Sequence, residues 1–409
     1  METGSVLPWE TDHLIILRTV GGGANSTVWA AYSLERDSLV ALKVLNANNQ
    51  CTIDREVGQL KLVRGEGVID CLGIVNVPGG RAIITPLYSC DLGTIIDRCY
   101  PGGLPAPIIR EIVMIIAGTL ARVNGLGVVY SDLKPENILL QVDGERDDLS
   151  LFSREEARDL YAEGVDPVEI AAITTAELNL ELAEVSPDLS DVGSIGSLSS
   201  EEGDLNSTFG SDLLKENMQS GRLARSEEEL HDIWHLYDDE DDVPEATWQP
   251  VIRWSELVLA DWGNSWSTPP DTIIQTRSYR APEVILGLTL TELADVWSLG
   301  CLISELARGV ILWQPYDQPL SRDVQHLALW QRTLGEMPRE MISASPHAQL
   351  FWSDNGQLCG LARVGEPKPL SVLHPDHSTL GMVYQLITLC LRYQPEERPS
   401  MVELVTLLR

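Results

Sequence analysis

The stretch of sequence that decides the fold runs Tyr130-Ser-Asp-Leu-Lys-Pro-Glu-Asn-Ile-Leu-Leu140. It carries an acid at Asp132, a base two residues later at Lys134 and an amide five residues later at Asn137. A tight loop can turn these three side chains toward one site, where they could accept a hydroxyl proton, neutralise a phosphate and bind a metal. The alternative is an ordinary polar loop, and the match of eight residues to one pattern argues against it.

A second acidic position ends an apolar run farther along the chain. The run Leu257-Val-Leu-Ala-Asp261-Trp-Gly263 predicts a strand that stops at Asp261. Hard oxygen ligands such as Asp261 and Asn137 suit Mg²⁺, which keeps several waters and binds through the phosphates of a substrate. The sequence therefore predicts a magnesium site formed by Asn137 and Asp261.

A glycine-rich segment lies near the N-terminus between two strand-like runs. It reads Gly21-Gly-Gly-Ala-Asn-Ser-Thr-Val28. Glycines let the backbone approach a triphosphate and donate N–H groups to it. Alone, the segment is also compatible with a flexible turn.

A lysine follows inside the apolar run Val40-Ala-Leu-Lys43. A buried lysine is costly unless it is paired, and Glu56, on the predicted helix that follows, is the natural partner. Such a pair would hold the ammonium group against the α and β phosphates of a nucleotide. The alternative is a surface lysine whose side chain reaches into solvent.

The remaining patterns divide the chain into a β-rich part and a helical part. Short β-branched runs at 14–20, 27–32, 39–45 and 81–85, with one helix at 54–63, predict a small and mostly antiparallel sheet. Apolar residues recur at helical spacing over 293–306, 324–334, 380–391 and 401–408.

The net charge of −32 is concentrated in one segment. Residues 142–256 hold 31 acidic and 7 basic side chains, and 186–211 are rich in Ser, Asp and Gly, which predicts disorder. Helix-start patterns at Ser153 and Ser226 flank that part. We interpret 142–256 as an acidic insert. Its field would repel nucleic acid and attract basic partners, unless the charge serves only to solvate the insert.

Seven cysteines without a CxxC pair predict reduced thiols, as in the cytoplasm or nucleus. The N-terminus shows no signal-peptide pattern. The apolar stretch 108–129 carries Arg110, Glu111 and Arg122, which favours a buried helix over a membrane span. We expect a soluble monomer that binds neither membrane nor nucleic acid.

Taken in order, these motifs resemble those of the eukaryotic protein kinases, with later matches at Ala281-Pro-Glu283, Asp295-Val-Trp-Ser-Leu-Gly300 and Glu397-Arg398-Pro. The resemblance implies an α+β, bilobed protein kinase fold with a β-rich N-lobe, an α-helical C-lobe and a long acidic insert, giving domains at 14–141, 142–256 and 257–409. It implies ATP and Mg²⁺ as cofactors and a buried structural ion pair between Glu283 and Arg398.

The resemblance also implies a role for each site residue. The catalytic residues would be Asp132, Lys134, Lys43 and Glu56, and the metal ligands Asn137 and Asp261. The nucleotide contacts would be Val20, Gly21, Gly22, Gly23, Ala24, Asn25, Ser26, Thr27, Val28, Ala41 and Lys43.

Within that family the chain is most similar to the SR-protein kinases. The matching segments are Ser26-Thr-Val-Trp29, Asp261-Trp-Gly-Asn264 and Gln275-Thr-Arg-Ser-Tyr-Arg280. An insert between the catalytic loop and the strand before the metal-binding Asp is also typical of them. This similarity implies a serine/threonine kinase acting on basic or Arg/Ser-rich proteins. The alternative is an ATP-binding scaffold of weak or no activity that acts through its acidic insert.

Several positions depart from the family pattern. Tyr130-Ser131 replaces the usual His-Arg, which removes a packing and hydrogen-bonding group beneath the metal-binding turn and the usual partner of a phosphorylated activation loop. We therefore predict activity without loop phosphorylation. Trp262 replaces Phe and is expected to retain its packing role. Gln325 and Arg332 stand where the docking groove of SR-protein kinases has acids, so Arg332 is expected to repel Arg-rich peptides.

Overall fold

The computed structural model describes residues 1–23, 26–45, 50–143, 152–175, 251–315, 321–361, 364–374, 376 and 380–409. These residues form two units. The first comprises the described parts of 1–90, 140–175 and 251–253, and the second those of 91–139 and 254–409. The segment predicted to be disordered (186–211), the predicted helix at Ser226, and Ala24 and Asn25 lie outside the described residues.

The first unit is built on an antiparallel sheet of six strands in the order β1-β2-β3-β4-β6-β5. The strands are β1 (Val6–Trp9), β2 (Asp12–Gly23), β3 (Ser26–Ser33), β4 (Ser38–Leu45), β5 (Gly73–Val77) and β6 (Gly80–Pro86). Helix α1 (Gln50–Val63) packs on β6. The four predicted strands and the predicted helix are therefore present. Strands β1 and β5, which are the two edges of the sheet, were not predicted.

Both faces of this sheet are buried. Successive side chains of a strand point to opposite faces, and Leu14, Ile15, Ile16 and Leu17 are all fully buried. Leu14 and Ile16 belong to one core cluster and Ile15 and Leu17 to another. The unbroken apolar run in β2 is therefore explained by cover on each face rather than by a single buried face.

Helices α4 (Arg154–Ala162) and α5 (Pro167–Thr174) cover the second face. Both come from the segment interpreted as the acidic insert. Ser153 caps α4 by accepting a hydrogen bond from the Glu156 N–H, as its sequence pattern predicted. Phe152 packs on the Tyr32 ring at 5.1 Å between ring centroids. The helical start of the insert is thus part of the hydrophobic core of this unit.

A second pairing also ties the insert to the first unit. Strand β9 (Val142–Asp143) pairs antiparallel with β10 (Val251–Ile252). The two ends of the insert therefore lie next to each other. Between them, 144–151 and 176–250 lie outside the described residues.

The second unit is helical. Its helices are α2 (Leu92–Cys99), α3 (Ala106–Asn124), α6 (Pro282–Leu286), α7 (Leu293–Arg308), α8 (Arg322–Leu334), α9 (Arg339–Ala344), α10 (Ala348–Phe351), α11 (Leu370–Leu373), α12 (Met382–Cys390) and α13 (Met401–Leu408). The four helices predicted from apolar spacing are present, with ends that differ by no more than two residues. The remaining short strands are β7 (Cys90–Asp91), β8 (Ile138–Leu140) and β11 (Val258–Leu259).

Helix α7 forms the centre of this unit. It is buried on nearly its whole circumference, as expected for a helix that is apolar all round. At Gly300 an added Cβ would come within 2.8 Å of the Cys390 Cβ on α12. Glycine at this position therefore allows α7 and α12 to pack closely.

Among the described residues no helix is long and apolar enough to span a membrane. Residues 108–124 of the stretch predicted to be a buried helix with its connecting loop lie in helix α3, and residues 125–129 follow the end of that helix. The described cysteines are free thiols: Cys71, Cys90, Cys99, Cys301, Cys359 and Cys390. A cytoplasmic or nuclear location and a monomeric state stay predictions.

Candidate active site

In the first unit, the predicted lysine–glutamate pair is present. Lys43 Nζ lies 2.8 Å from Glu56 Oε1 and 3.0 Å from Oε2. Glu56, on α1, is 4% exposed, and Lys43 lies on β4, whose register places it opposite Val28 on β3. The interpretation of Lys43 as a surface lysine is therefore wrong, because its ammonium group is held by a buried carboxylate.

The glycine-rich segment forms the end of the β2–β3 hairpin. Gly21, Gly22 and Gly23 pair with Val28, Thr27 and Ser26 respectively. Apart from its chain neighbours, no atom of the described residues lies within 4 Å of a Cβ built on Gly21, so this face of the strand is uncovered by that part of the chain. The role of this segment in contacting a nucleotide stays a prediction. The other predicted nucleotide contacts of this unit, Val20 and Ala41, lie on β2 and β4.

In the second unit, the catalytic-loop residues surround one carboxylate. Asp132 Oδ1 accepts a hydrogen bond from the Thr276 hydroxyl at 2.7 Å, and Oδ2 accepts from Asn137 Nδ2 at 3.1 Å and Asn264 Nδ2 at 3.3 Å. Lys134 Nζ donates to Thr276 Oγ1 at 3.0 Å and lies 3.8 Å from Asp132 Oδ2. The structure thus brings Asp132, Lys134 and Asn137 together, as predicted. Thr276 and Asn264 were missed.

A buried aspartate shapes the loop that carries Asp132. Asp295, at the start of α7, accepts the backbone N–H groups of Tyr130 at 2.9 Å and Ser131 at 2.7 Å. Burial raises the pKa of Asp295 to about 7, although these two N–H groups act in the opposite direction. Ser131 has a positive φ of 61°, which such anchoring helps to maintain.

The two predicted metal ligands lie on adjoining segments of this unit. Asn137 ends a 3₁₀ turn, and its carbonyl oxygen accepts the Ala260 N–H at 2.9 Å, one residue before Asp261. Asp261 is in the left-handed region with φ 50° and ψ 67°. A carboxylate and an amide oxygen are ligands that Mg²⁺ accepts, so the donor set fits the predicted ion.

The replacement of His-Arg by Tyr130-Ser131 has a different consequence from the one expected. The Tyr130 hydroxyl donates to the Ala260 carbonyl at 2.5 Å, and its ring lies 4.6 Å from the Trp262 ring. Ser131 Oγ donates to the Asn264 carbonyl at 2.8 Å. The expected loss of packing and hydrogen bonding beneath the metal-binding turn is therefore wrong, because tyrosine supplies both.

The Tyr130 hydroxyl remains a donor throughout the physiological range of pH. Burial, and after it the negative charges of Asp132, Asp261 and Asp295, raises the pKa of Tyr130 well above its ordinary value. Trp262 is fully buried and its indole N–H donates to the Leu259 carbonyl at 2.9 Å.

The segment that follows Asp261 is anchored by its own side chains. Gln275, at a positive φ of 66°, donates from Nε2 to Ser298 Oγ and accepts the Ala281 N–H, at 2.9 and 2.8 Å. Arg280 donates to the Gln275 carbonyl at 2.8 Å. The Arg277 guanidinium pairs with Asp323 on α8.

Activity is therefore expected to survive complete dephosphorylation. In the experiment, the purified protein is treated with a protein phosphatase, and mass spectrometry verifies that phosphate has been removed. Since the segment is held by Gln275, Arg280 and Arg277, the initial rate of phosphate transfer to a basic protein should equal that of a mock-treated sample. A rate that falls after treatment and returns after rephosphorylation would contradict this prediction.

The expected repulsion of Arg-rich peptides by Arg332 is not supported. Arg332 is only 7% exposed, and its Nε donates to the Glu366 carbonyl at 2.7 Å. Gln325 is also buried. Because these side chains point into the unit, neither presents its polar group to a substrate in solution.

The predicted structural ion pair is confirmed. Arg398 donates from its two terminal nitrogens to the two carboxylate oxygens of Glu283 at 2.7 and 2.8 Å, and both side chains are fully buried. Arg398 also donates to the carbonyls of Leu293, Tyr393 and Arg392. Every donor group of the guanidinium is thereby bonded.

Comparison with known proteins finds one family model that matches most of the chain. The model, described as the protein kinase domain, matches residues 14–151 and 252–407. The gap between the two matched parts falls within the acidic insert.

Two relatives illustrate the extent of the similarity. A putative serine/threonine-protein kinase, L205 of Acanthamoeba polyphaga mimivirus, is 27% identical over 83% of this chain and 75% of its own. The serine/threonine-protein kinase SRPK of Physarum polycephalum is 31% identical over 37% of this chain and 36% of its own, so that match spans only about a third of the relative.

A solved structure shows the same fold. The crystal structure of the PF14_0431 kinase domain aligns with a TM-score of 0.65 at 18% identity, covering 100% of this chain and 98% of that one. At this identity the likeness concerns the fold alone.

Proposed function

Because the chain belongs to the protein kinase family, we propose that it is an active serine/threonine kinase that transfers the γ-phosphate of ATP to hydroxyl groups of basic proteins. The observation that carries the proposal is the arrangement around Asp132. Its carboxylate is buried, bonded to Thr276 and Asn137, and 3.8 Å from the Lys134 ammonium group. An inactive scaffold would have no need of this arrangement.

Each residue at the site has a task in this reaction. A substrate hydroxyl would take the place of the Thr276 hydroxyl at Asp132 Oδ1 or share it, and Asp132 would accept its proton as the bond to phosphorus forms. Lys134 would offset the charge that develops on the transferred group. Catalysis of this kind is positioning combined with electrostatic stabilisation.

The cofactors proposed are ATP and Mg²⁺. Asn137 and Asp261 of the second unit would hold the metal ion, and Lys43, kept in place by Glu56 in the first unit, would bind the α and β phosphates. When bound, the ion would neutralise phosphate charge and orient the γ-phosphate.

A preference for basic substrates is supported by charge. The whole chain carries −32, which favours the approach of cations over long distances. Arg/Ser-rich proteins are one class of substrate that this charge would suit, as the similarity to SR-protein kinases suggests.

Replacing Lys43 by methionine tests the proposal against the scaffold alternative. Methionine keeps the apolar stem and removes the ammonium group that Glu56 holds at 2.8 Å. We expect transfer of ³²P from ATP to a basic protein to fall by at least about 100-fold, the size of effect seen when one hydrogen-bond donor that stabilises a transition state is removed. Lys61→Met, on an exposed position of α1, is the matched control and should retain activity.

Two outcomes would contradict the proposal. A wild-type protein that binds ATP and labels neither a basic nor an acidic protein would indicate a scaffold. Equal labelling of basic and acidic proteins of similar size would remove the basic preference while leaving the kinase activity in place.

A further inference from the structure

One histidine in the core of the second unit is buried among tryptophans. His326, on α8, is fully buried, and the centre of its ring lies 4.4 Å from that of Trp330 and 6.4 Å from that of Trp313. Trp297 of α7 packs on these two tryptophans, at 5.3 and 5.5 Å between ring centroids. Helix α8 is therefore packed on α7 through an aromatic cluster that contains one titratable ring.

The surroundings of His326 suit a neutral ring. Neither ring nitrogen has a hydrogen-bond partner among the described residues. Burial, and after it the positive charges of Arg277 and Arg280, lowers the pKa of His326 well below its ordinary value. A proton added to this ring would place a third positive charge next to two arginines in an apolar site, which is costly.

The other charged and titratable groups around this cluster are bonded elsewhere in the structure. Asp323, one turn before His326 on α8, pairs with Arg277, and Arg280 donates to two backbone carbonyls of its own segment. The remaining groups lie on α7 or beside Trp297, and their partners are the Tyr130 and Ser131 N–H groups for Asp295, Tyr279 for Glu305, Glu283 for Arg398 and the Gly335 carbonyl for Tyr393. A protonated His326 would have to break an existing contact to gain a counter-charge.

Helix α8 is also connected to the catalytic residues of the same unit. Its Asp323 holds Arg277, which directly follows Thr276 in the chain. The Thr276 hydroxyl donates to Asp132 Oδ1 at 2.7 Å. A displacement of α8 would therefore release the residue next to one that contacts Asp132.

We propose that His326 is an acid-sensitive switch. With a neutral ring it keeps α8 packed on Trp313 and Trp297, and when the ring takes up a proton, α8 separates from the cluster and the pair between Arg277 and Asp323 is broken. The expected consequence is a reversible loss of phosphate transfer as the pH falls below about 6.5. The effect on transfer rests on the proposed function, whereas the effect on the packing of α8 does not.

The direction of the effect follows from the state that binds the proton. A histidine released into solvent has a pKa of about 6.5, above that of the buried ring. Above that pH the ring is neutral in both states, and the packed state keeps its full stability. Below it only the released state binds a proton, so the equilibrium shifts toward release by up to about tenfold per pH unit.

Two carboxyl groups of α7 act in the opposite direction over the same range of pH. Burial raises the pKa of Asp295 to about 7 and that of Glu305 to about 8, so each stabilises the packed state at low pH and loses this contribution as the pH rises. The pH profile of the wild type alone therefore does not isolate His326, and a comparison with a variant is required.

The experiment compares the wild type with His326→Leu, which keeps an apolar side chain in the cluster and removes the titrating group. Hydrogen exchange of the full chain is measured at about pH 7.5 and about pH 5.5, one unit on either side of the ordinary histidine pKa. Between these values we expect the protection factor of peptides from 324–334 to fall about tenfold more in the wild type than in the variant. Transfer of ³²P to a basic protein should likewise fall more in the wild type.

His13→Leu makes the same change at a half-buried position on β2 of the first unit and is the matched control. It should keep the wild-type pH dependence of the α8 peptides. A second variant, His326→Gln, places a polar group that does not titrate in the cluster. It should show the weaker pH dependence of His326→Leu, whatever its stability at neutral pH.

The inference is overturned if folded His326→Leu and His326→Gln lose protection in α8 as strongly as the wild type at the lower pH. An equal loss of protection in α3 would show that the whole unit opens, and it would overturn the release of α8 too. If α8 is released while transfer is unchanged, the link to catalysis is wrong. A wild type that shows the α8 effect but transfers no phosphate at either pH would refute the proposed activity alone.

Discussion

Replacing Asp132 by asparagine is expected to lower kcat for phosphoryl transfer by about 10²- to 10⁴-fold, the usual contribution of a positioned general base. The amide has the shape of the carboxylate, so it can still bond the Thr276 hydroxyl and the Asn137 side chain, which lie 2.7 and 3.1 Å from the Asp132 oxygens. It cannot accept the proton of a substrate hydroxyl. Chemistry should therefore be lost while the local structure is retained.

The measurement is steady-state transfer of ³²P from ATP to a basic protein, with ATP affinity determined in parallel by calorimetry. We expect near-wild-type affinity together with the reduced kcat. Asp354→Asn makes the same chemical change at an exposed position of the second unit and should leave both quantities unchanged. If Asp132→Asn keeps more than about a tenth of the wild-type kcat, Asp132 is not the catalytic base.

Replacing Arg398 by methionine is expected to lower the free energy of unfolding by about 3–5 kcal/mol. The Glu283 carboxylate, which is fully buried, would lose both of its charged hydrogen bonds, at 2.7 and 2.8 Å. The Arg398 guanidinium also lies 5.1 Å from the centre of the Trp297 ring in the core. Removing one partner of a buried pair is costly because the other charge remains buried.

The check is urea denaturation of the full chain, monitored by circular dichroism. Arg392→Met, on an exposed arginine nearby, is the control and should change stability by about 0.5 kcal/mol or less. The double variant with Glu283→Met and Arg398→Met should be more stable than Arg398→Met alone, since it leaves no unpaired charge. A stability loss below about 1 kcal/mol for Arg398→Met would show that the pair contributes little.

The structure gives a physical account of how this chain can dispense with the usual His-Arg pair. Tyr130 takes over the hydrogen bond beneath the metal-binding turn, and Ser131 bonds the Asn264 carbonyl directly. Since Gln275 and Arg280 anchor the following segment through backbone carbonyls, its conformation does not depend on an added phosphate. Activity without phosphorylation is thus the expected default state of the protein.

Much of the fold could be predicted because local patterns carry it. Apolar spacing located α7, α8, α12 and α13 to within two residues. The edge strands β1 and β5 were missed for a physical reason. An edge strand has one unpaired side and tolerates residues that interrupt a strand pattern: β1 contains Pro8, and β5 has only five residues and begins at Gly73.

The candidate site also contains residues that local patterns predict and residues that they do not. Asp132, Lys134 and Asn137 stand within six residues of each other, and the pairing of Lys43 with Glu56 followed from the cost of burying a lone charge. Thr276 and Asn264 are 144 and 132 positions away from Asp132. Nothing in a local pattern indicates that such side chains meet, because the contact depends on how the helices of the second unit pack.

By itself the sequence determined the β-rich and helical parts, the catalytic loop and the position of the insert. These features could be recognised because hydrophobic periodicity, glycine-rich turns and charged residues in apolar runs are patterns of neighbouring residues. Only the tertiary structure decided that α4 and α5 of the insert complete the core of the first unit. It also decided that Tyr130 reaches the Ala260 carbonyl, 130 residues away. These contacts depend on packing between segments that are distant in the sequence. A buried hydroxyl needs a hydrogen-bond partner, and only the folded structure shows which group lies next to it.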